Sequence, residues 1–224
     1  MYNKFLQILF RLCFAISIPL ATIIHVSLNR YSPNVHIVKT FIDDIVPLNK
    51  YFAVPYLFMF LYITTALVYF AIVDYKYYFK LLASIVFGML LCFVVYYYFP
   101  TTVPRPDVSG SDFFTTLVIN IYANDNPFNC FPSIHVLSAY LPLLFALKYK
   151  KSTFMKVFTI VGCISISLST LFLKQHYFLD AVASIFLGTA LYLLFTSEYL
   201  WNRIPIHSMV DLVMPSKLKN FIKG

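Results

Sequence analysis

The segment "STLFLKQHYFLD" ends in a histidine and an aspartate four residues apart, His176 and Asp180. On a helix that spacing puts both on one face. A carboxylate there can hold one imidazole nitrogen, fix the tautomer and leave the other nitrogen free to attack. A second histidine, His135 in "FPSIH", comes from another part of the chain and can protonate a leaving oxygen. Three further residues suit an anion. Arg105, between Pro104 and Pro106, offers a planar fork for phosphate oxygens, and Lys174 adds a point charge. Ser133 adds a hydroxyl beside the free N–H groups of a helix first turn, which Pro132 suits. One histidine as nucleophile and one as acid, over an anion cradle, describe phosphoryl transfer through a phosphohistidine.

The elements that must bring these residues together are apolar. The chain has 224 residues, 60% hydrophobic and only 12% charged, where a soluble domain carries about 25% charged residues. Phe52–Val73, Leu81–Pro104 and Asn126–Leu147 each exceed 20 residues, enough at ~1.5 Å per residue to cross a ~30 Å hydrocarbon core. Val157–Leu173 and Ala181–Ser197 are shorter, with flanks that extend them, and Phe5–Leu28 is interrupted only by Arg11. No small-x-small cleavage site follows that first run, so it reads as a retained span. The expectation is an all-α polytopic membrane protein, a six-transmembrane-helix bundle. Residues 1–200 would form the catalytic membrane domain and 201–224 a basic amphipathic cytoplasmic tail resting on lipid.

The net charge of +8 is distributed by topology rather than gathered for nucleic acid. With the N-terminus inside, twelve lysines and arginines fall on the cytoplasmic face and five on the outer face, which orients both termini inward. Following the parity of the spans, Arg105, Ser133, His135, Lys174, His176 and Asp180 all reach the outer face. Low glycine content and short loops suggest a compact bacterial protein, hence the cytoplasmic membrane with an extracytoplasmic site. The four cysteines have no metal-ligand or disulfide pattern.

"PRP", "FPSIH" and "STLFLKQHYFLD" together resemble the three signature motifs of the type 2 phosphatidic acid phosphatase superfamily, six-span lipid phosphatases and phosphotransferases that need no metal. The resemblance implies His176 as nucleophile, Asp180 as its orienting partner and His135 as general acid, with Arg105 and Ser133 on the phosphate. "FIDDIVP" and "NDNPFNCFPSIHV" look like the branch of inositol phosphorylceramide synthase-like proteins. Two positions depart from the family pattern. Tyr98 stands where a lysine is usual seven residues before the arginine, and Ser169-Thr170 where Ser-Arg is usual. Lys174 is positioned to replace one missing cation.

The remaining polar and aromatic residues have plainer assignments. His25 and His36 read as solvated or hydrogen-bonded side chains outside the constellation. "YFAVPYLFMFLY" reads as an interfacial aromatic belt. Asp43 and Asp44 would cap structure or bind water, Asp125 and Asn129 would shape the loop before Pro132, and Gly162, Ser165 and Ser169 would form a packing face. His135, His176 and Asp180 could instead supply three zinc ligands, but the neighbouring arginine and lysine would crowd cation beside cation. A transporter would carry ionisable residues mid-span, and none of the six runs does. The expectation is therefore a metal-independent, cofactor-free lipid phosphatase acting on a phosphomonoester or pyrophosphate of a bilayer lipid. Its rival is a phosphotransferase that passes the group to an alcohol. A closed, dry pocket over His176 would favour transfer, and an open, wet one hydrolysis.

Overall fold

The computed structural model describes residues 2–29, 34–149 and 151–198. The expected tail, 201–224, lies outside the described residues. The α-helices are α1 (Tyr2–Cys13), α2 (Ser17–Leu28), α3 (Phe41–Ile45), α4 (Ala53–Val73) and α5 (Tyr75–Tyr98), then α6 (Phe113–Asn124), α7 (Ile134–Lys148), α8 (Thr153–Phe172) and α9 (Phe178–Thr196). A 3₁₀ turn, Phe14–Ile16, joins α1 to α2, and another, Lys50–Phe52, leads into α4. Among the described residues there is no strand, only isolated bridges pairing His36 with Thr101 and Thr102 with Phe128.

The helix boundaries follow from local chemistry. Asp74 accepts from the N–H groups of Lys76 and Tyr77 to start α5, and Ser152 accepts from Met155 to start α8. The long helices are apolar all round, so the faces not packed on protein remain exposed, with Phe60, Leu61, Val94 and Phe186 among them. Such faces need lipid as their solvent. Among the described residues, five helical stretches are long and apolar enough to cross a membrane: Phe5–Leu28, Lys50–Val73, Tyr75–Tyr98, Thr153–Phe172 and Phe178–Thr196.

The expected fourth span is different. Within Asn126–Leu147 the helix starts only at Ile134, and α7 has 15 residues, about 22 Å at ~1.5 Å per residue. The cause is local. Ser133 caps α7, and the residues before it run as a non-helical wall of the site. Pro132 therefore precedes the cap and does not occupy the first helical turn.

Although short, α7 packs against α4, α5, α8 and α9 and buries Leu137, Leu141 and Phe145 completely. Small residues allow that closeness, with Gly88 against Leu137 and Leu191, and Gly188 against Tyr140. Gly162 is the tightest. A Cβ there would overlap the Tyr62 ring, and Tyr62 is tethered through its hydroxyl to the Ala139 carbonyl at 2.8 Å. The ring cannot yield without losing that bond. Gly162→Ala is expected to destabilise the bundle by roughly 1–3 kcal/mol, measurable as a lowered unfolding midpoint in detergent.

Outside the bundle, the connection from α5 to α7 carries the unforeseen helix α6. Its start is set by Asp112, which accepts from the Thr115 N–H at 3.2 Å and its hydroxyl at 2.6 Å. Backbone bonds from Val103 to Pro127 and from Asn129 to Thr101 hold the ends of this excursion together. Thr101 also accepts through Oγ1 from the N–H groups of Cys130 and Phe131. The stretch carrying Arg105 and the wall before α7 are thus held as one unit.

Candidate active site

His176 lies on the turn between α8 and α9. That turn is shaped by the Thr170 carbonyl, which accepts from the N–H groups of Gln175 and His176 at 2.9 and 3.1 Å. Lys174 adopts φ 53° to make the reversal. The imidazole is buried, and its Nδ1 lies 2.9 Å from the Cys130 carbonyl oxygen and 3.3 Å from Asp180 Oδ2. A carbonyl oxygen only accepts, so Nδ1 carries the hydrogen. Nε2 of the neutral ring then holds its lone pair outward. Asp180 is fully buried and also accepts from the Tyr177 N–H at 2.8 Å, which fixes the carboxylate that orients the ring.

Nε2 of His176 faces Nδ1 of His135 at 3.1 Å. His135, in the first turn of α7, turns its other nitrogen to the Tyr56 hydroxyl at 2.9 Å. Tyr56 in turn lies 2.9 Å from Asp125 Oδ2, and Asn29 donates to Asp125 Oδ1 at 2.8 Å. A continuous row of side chains therefore runs from Asp180 through both histidines to Asp125. Burial pushes the Asp125 carboxyl up, but His135, Arg105 and the Tyr56 hydroxyl outweigh it and hold it below the usual carboxylate range.

Arg105 stands beside this row. Its guanidinium donates to the carbonyls of Tyr122 and Asp125 and to Gln175 Oε1, and it lies 4.6 Å from the centre of the Tyr122 ring. Its Nε and the Nε2 of Gln175 are buried donors without a hydrogen-bond partner among the described residues. Together with His25, Asn129, His135 and His176 they line a small cavity of about 10 Å³. Unspent buried donors beside the paired imidazoles suit an anion.

The structure brings Arg105, His135, His176 and Asp180 together and places the other two expected residues elsewhere. Ser133 is fully buried as the α7 cap. Its Oγ accepts from the Val136 N–H at 3.2 Å, and its own N–H donates to the Asp180 carbonyl. Lys174 spends its ammonium on the carbonyls of Asp43 and Val46, so it anchors α3 and does not line the cavity. Asp43 reinforces that anchor, with one oxygen capping α3 through Thr40 and the other accepting from the Phe178 N–H that opens α9.

Three residues of the site take roles that their sequence context does not suggest. Tyr56 belongs to the supposed aromatic belt yet is buried against His135. His25, from α2, stacks near Phe93 and lines the cavity, with a buried Nδ1 that has no partner among the described residues. Asp125 does more than shape a loop, since its carboxylate terminates the row. His36, stacked on Phe99, stays outside. Among the described residues no group of three or more His, Cys, Asp or Glu is placed to hold a metal ion.

A larger chamber of about 430 Å³ adjoins the small cavity and shares His25, Asp125, Asn126, Ile134 and His135 with it. Its remaining wall is mostly apolar, including Leu57, Met59, Phe60, Met89 and Leu117.

No curated protein and no solved structure matches the chain. A family model described as the PAP2 superfamily does match, over residues 23–194, a region that contains every residue of the row. This integral membrane protein, with paired histidines at the end of an apolar bundle, belongs to the PAP2 superfamily of phosphatase- and phosphotransferase-type lipid enzymes.

Proposed function

We propose that the protein is a lipid phosphatase that works through a phosphohistidine on His176, at the extracytoplasmic face of the membrane. The observation that carries this reading is the geometry of His176. Its Nδ1 is committed to Cys130 and Asp180, and its Nε2 faces Nδ1 of His135 at 3.1 Å. In the first half-reaction Nε2 bonds to phosphorus, the phosphorus–oxygen bond to the lipid breaks, and His135 gives its proton to the departing oxygen. In the second, water attacks phosphorus while His135 takes its proton, and His176 is released. Arg105 and Gln175 supply donors for the charge on the phosphoryl oxygens. Asp180 holds the ring throughout.

The apolar chamber beside His135 supports a substrate with a hydrocarbon body, because His135 is where the leaving oxygen must sit. Phosphatidic acid, phosphatidylglycerol phosphate and polyprenyl pyrophosphate all fit that class. One observation also favours a second reading, transfer to an alcohol. The space over His176 is about 10 Å³, room for about one water, and the volume next to it is apolar. The resemblance of "FIDDIVP" and "NDNPFNCFPSIHV" to inositol phosphorylceramide synthase-like proteins points the same way.

The test is phosphate release by the purified protein from a panel of lipid phosphates in detergent, with chelator present. Release from a lipid phosphate that is unchanged by chelator is the expected result. Headgroup exchange with an added lipid alcohol, with no free phosphate formed, would select the transfer reading instead.

A further inference from the structure

We propose that Tyr56 and Asp125 hold His135 in the tautomer with hydrogen on Nε2, so that the proton it gives and takes is the one on Nδ1, facing His176. The inference rests on the reading just given to the site, and it adds two positioning residues that lie outside the three signature motifs.

It follows from counting hydrogens along the row. Asp125 accepts from Asn29 at Oδ1, and its Oδ2 lies 2.9 Å from the Tyr56 oxygen. The guanidinium of Arg105 sits against the Asp125 carbonyl, so a carboxylate is favoured here. A carboxylate only accepts, and Tyr56 has a single hydroxyl hydrogen, which therefore points at Asp125. The Tyr56 oxygen can then only accept from His135, 2.9 Å away, and Nε2 of His135 must be the N–H. That leaves Nδ1 as the titrating nitrogen.

The 3.1 Å contact between the two histidines completes the count. His176 Nε2 holds a lone pair because its Nδ1 hydrogen goes to Cys130. The contact is therefore filled when His135 carries a proton on Nδ1, which is the acid form required for leaving-group departure. Once that proton has gone to the departing oxygen, the two contacts on the Tyr56 side still have their two hydrogens. Nothing has to rotate before Nδ1 accepts a proton from water. Asp125 stays a carboxylate and Tyr56 keeps its hydrogen, so neither exchanges protons with substrate. The titratable and charged groups around His135 are His25 from α2, Tyr56 from α4, Tyr96 from α5, Arg105 and Asp125 from the outer excursion, and His176 with Asp180 behind it.

Asp125→Asn makes the sharpest test. Asn29 donates to one side of residue 125, so the new amide would present its oxygen there and its NH₂ to Tyr56. The Tyr56 hydrogen would then turn to His135 Nε2 and force the hydrogen of the neutral ring onto Nδ1. The full chain, labelled with ¹⁵N-histidine in detergent micelles, reports the tautomer directly, and comparison with His135→Gln assigns the signal. Neutral His135 is expected as Nε2–H in the parent protein, reversed in Asp125→Asn and mixed in Tyr56→Phe. Kinetically, Asp125→Asn should slow cleavage of an alkyl phosphate by about 100-fold or more, the typical contribution of a positioned acid. A nitrophenyl phosphate, whose leaving group needs no proton, should slow by less than about tenfold.

A parent His135 with its neutral hydrogen on Nδ1, or a tautomer indifferent to Asp125→Asn, would overturn the proposal. So would equal losses on both esters. Should the parent cleave neither ester, the functional reading falls, while the ¹⁵N spectrum still decides the tautomer.

Discussion

Replacing His176 with glutamine is expected to lower turnover by on the order of 10⁴-fold or more, the scale on which enzymes lose rate when a covalent nucleophile is removed. Glutamine offers an amide that can still donate to the Cys130 carbonyl, which the imidazole Nδ1 meets at 2.9 Å. It has no lone pair able to bond phosphorus at the Nε2 position. The loss should appear in kcat and in kcat/KM together, since a ground-state phosphate contact is not what is removed. Stability should fall modestly. Asp180 loses one partner in a fully buried setting, a cost of about 1–3 kcal/mol, so folding is checked by the unfolding midpoint alongside activity. Full turnover in a folded His176→Gln variant would remove the nucleophile from the mechanism.

Arg105→Lys should have the next largest effect. The guanidinium ties the end of α6 to the turn before α9, through the carbonyls of Tyr122 and Asp125 and the side chain of Gln175, while stacking on Tyr122. A lysine has one nitrogen and no plane, so it can neither span those acceptors nor stack in the same way. It also lacks the Nε donor that Arg105 leaves unspent in the cavity. Loss of one preorganised donor to developing charge costs about 10²–10³ in kcat. Because Arg105 also positions Gln175 on the turn that carries His176, KM should rise as well. A lysine variant with parental kinetics would mean that the phosphate does not use this corner of the site.

Much of the chemistry is legible in the sequence because it sits where apolar runs end. His135, His176, Asp180 and Arg105 interrupt hydrophobic sequence where apolar runs end, and the structure gathers them at one end of the bundle. What stays hidden sits inside apolar runs. Tyr56 falls in a helix that is hydrophobic all round, so no periodicity marks the side that meets His135. His25 is concealed for the same reason in α2. Asp125 looks like any turn residue in "YANDNPFNC", and only the path of the excursion brings it 2.9 Å from the Tyr56 hydroxyl.

Lys174 illustrates the opposite case. Its charge and its place two residues before His176 suggest phosphate, yet its φ of 53° swings the side chain to the carbonyls of α3. Backbone conformation at one turn residue decides between the two roles. The short α7 has a similar origin. Composition alone makes Asn126–Leu147 a span, but loop bonds to Thr101 keep its first residues out of helix and in the wall of the site.

The most direct test of the central claim is to trap the covalent intermediate. The protein would be mixed with a lipid phosphate labelled at phosphorus, quenched in alkali within milliseconds, digested and mapped. Label on the peptide carrying His176, stable to base and lost in acid, is the predicted result. Turnover of the same lipid with no label on His176 at any quench time would contradict it.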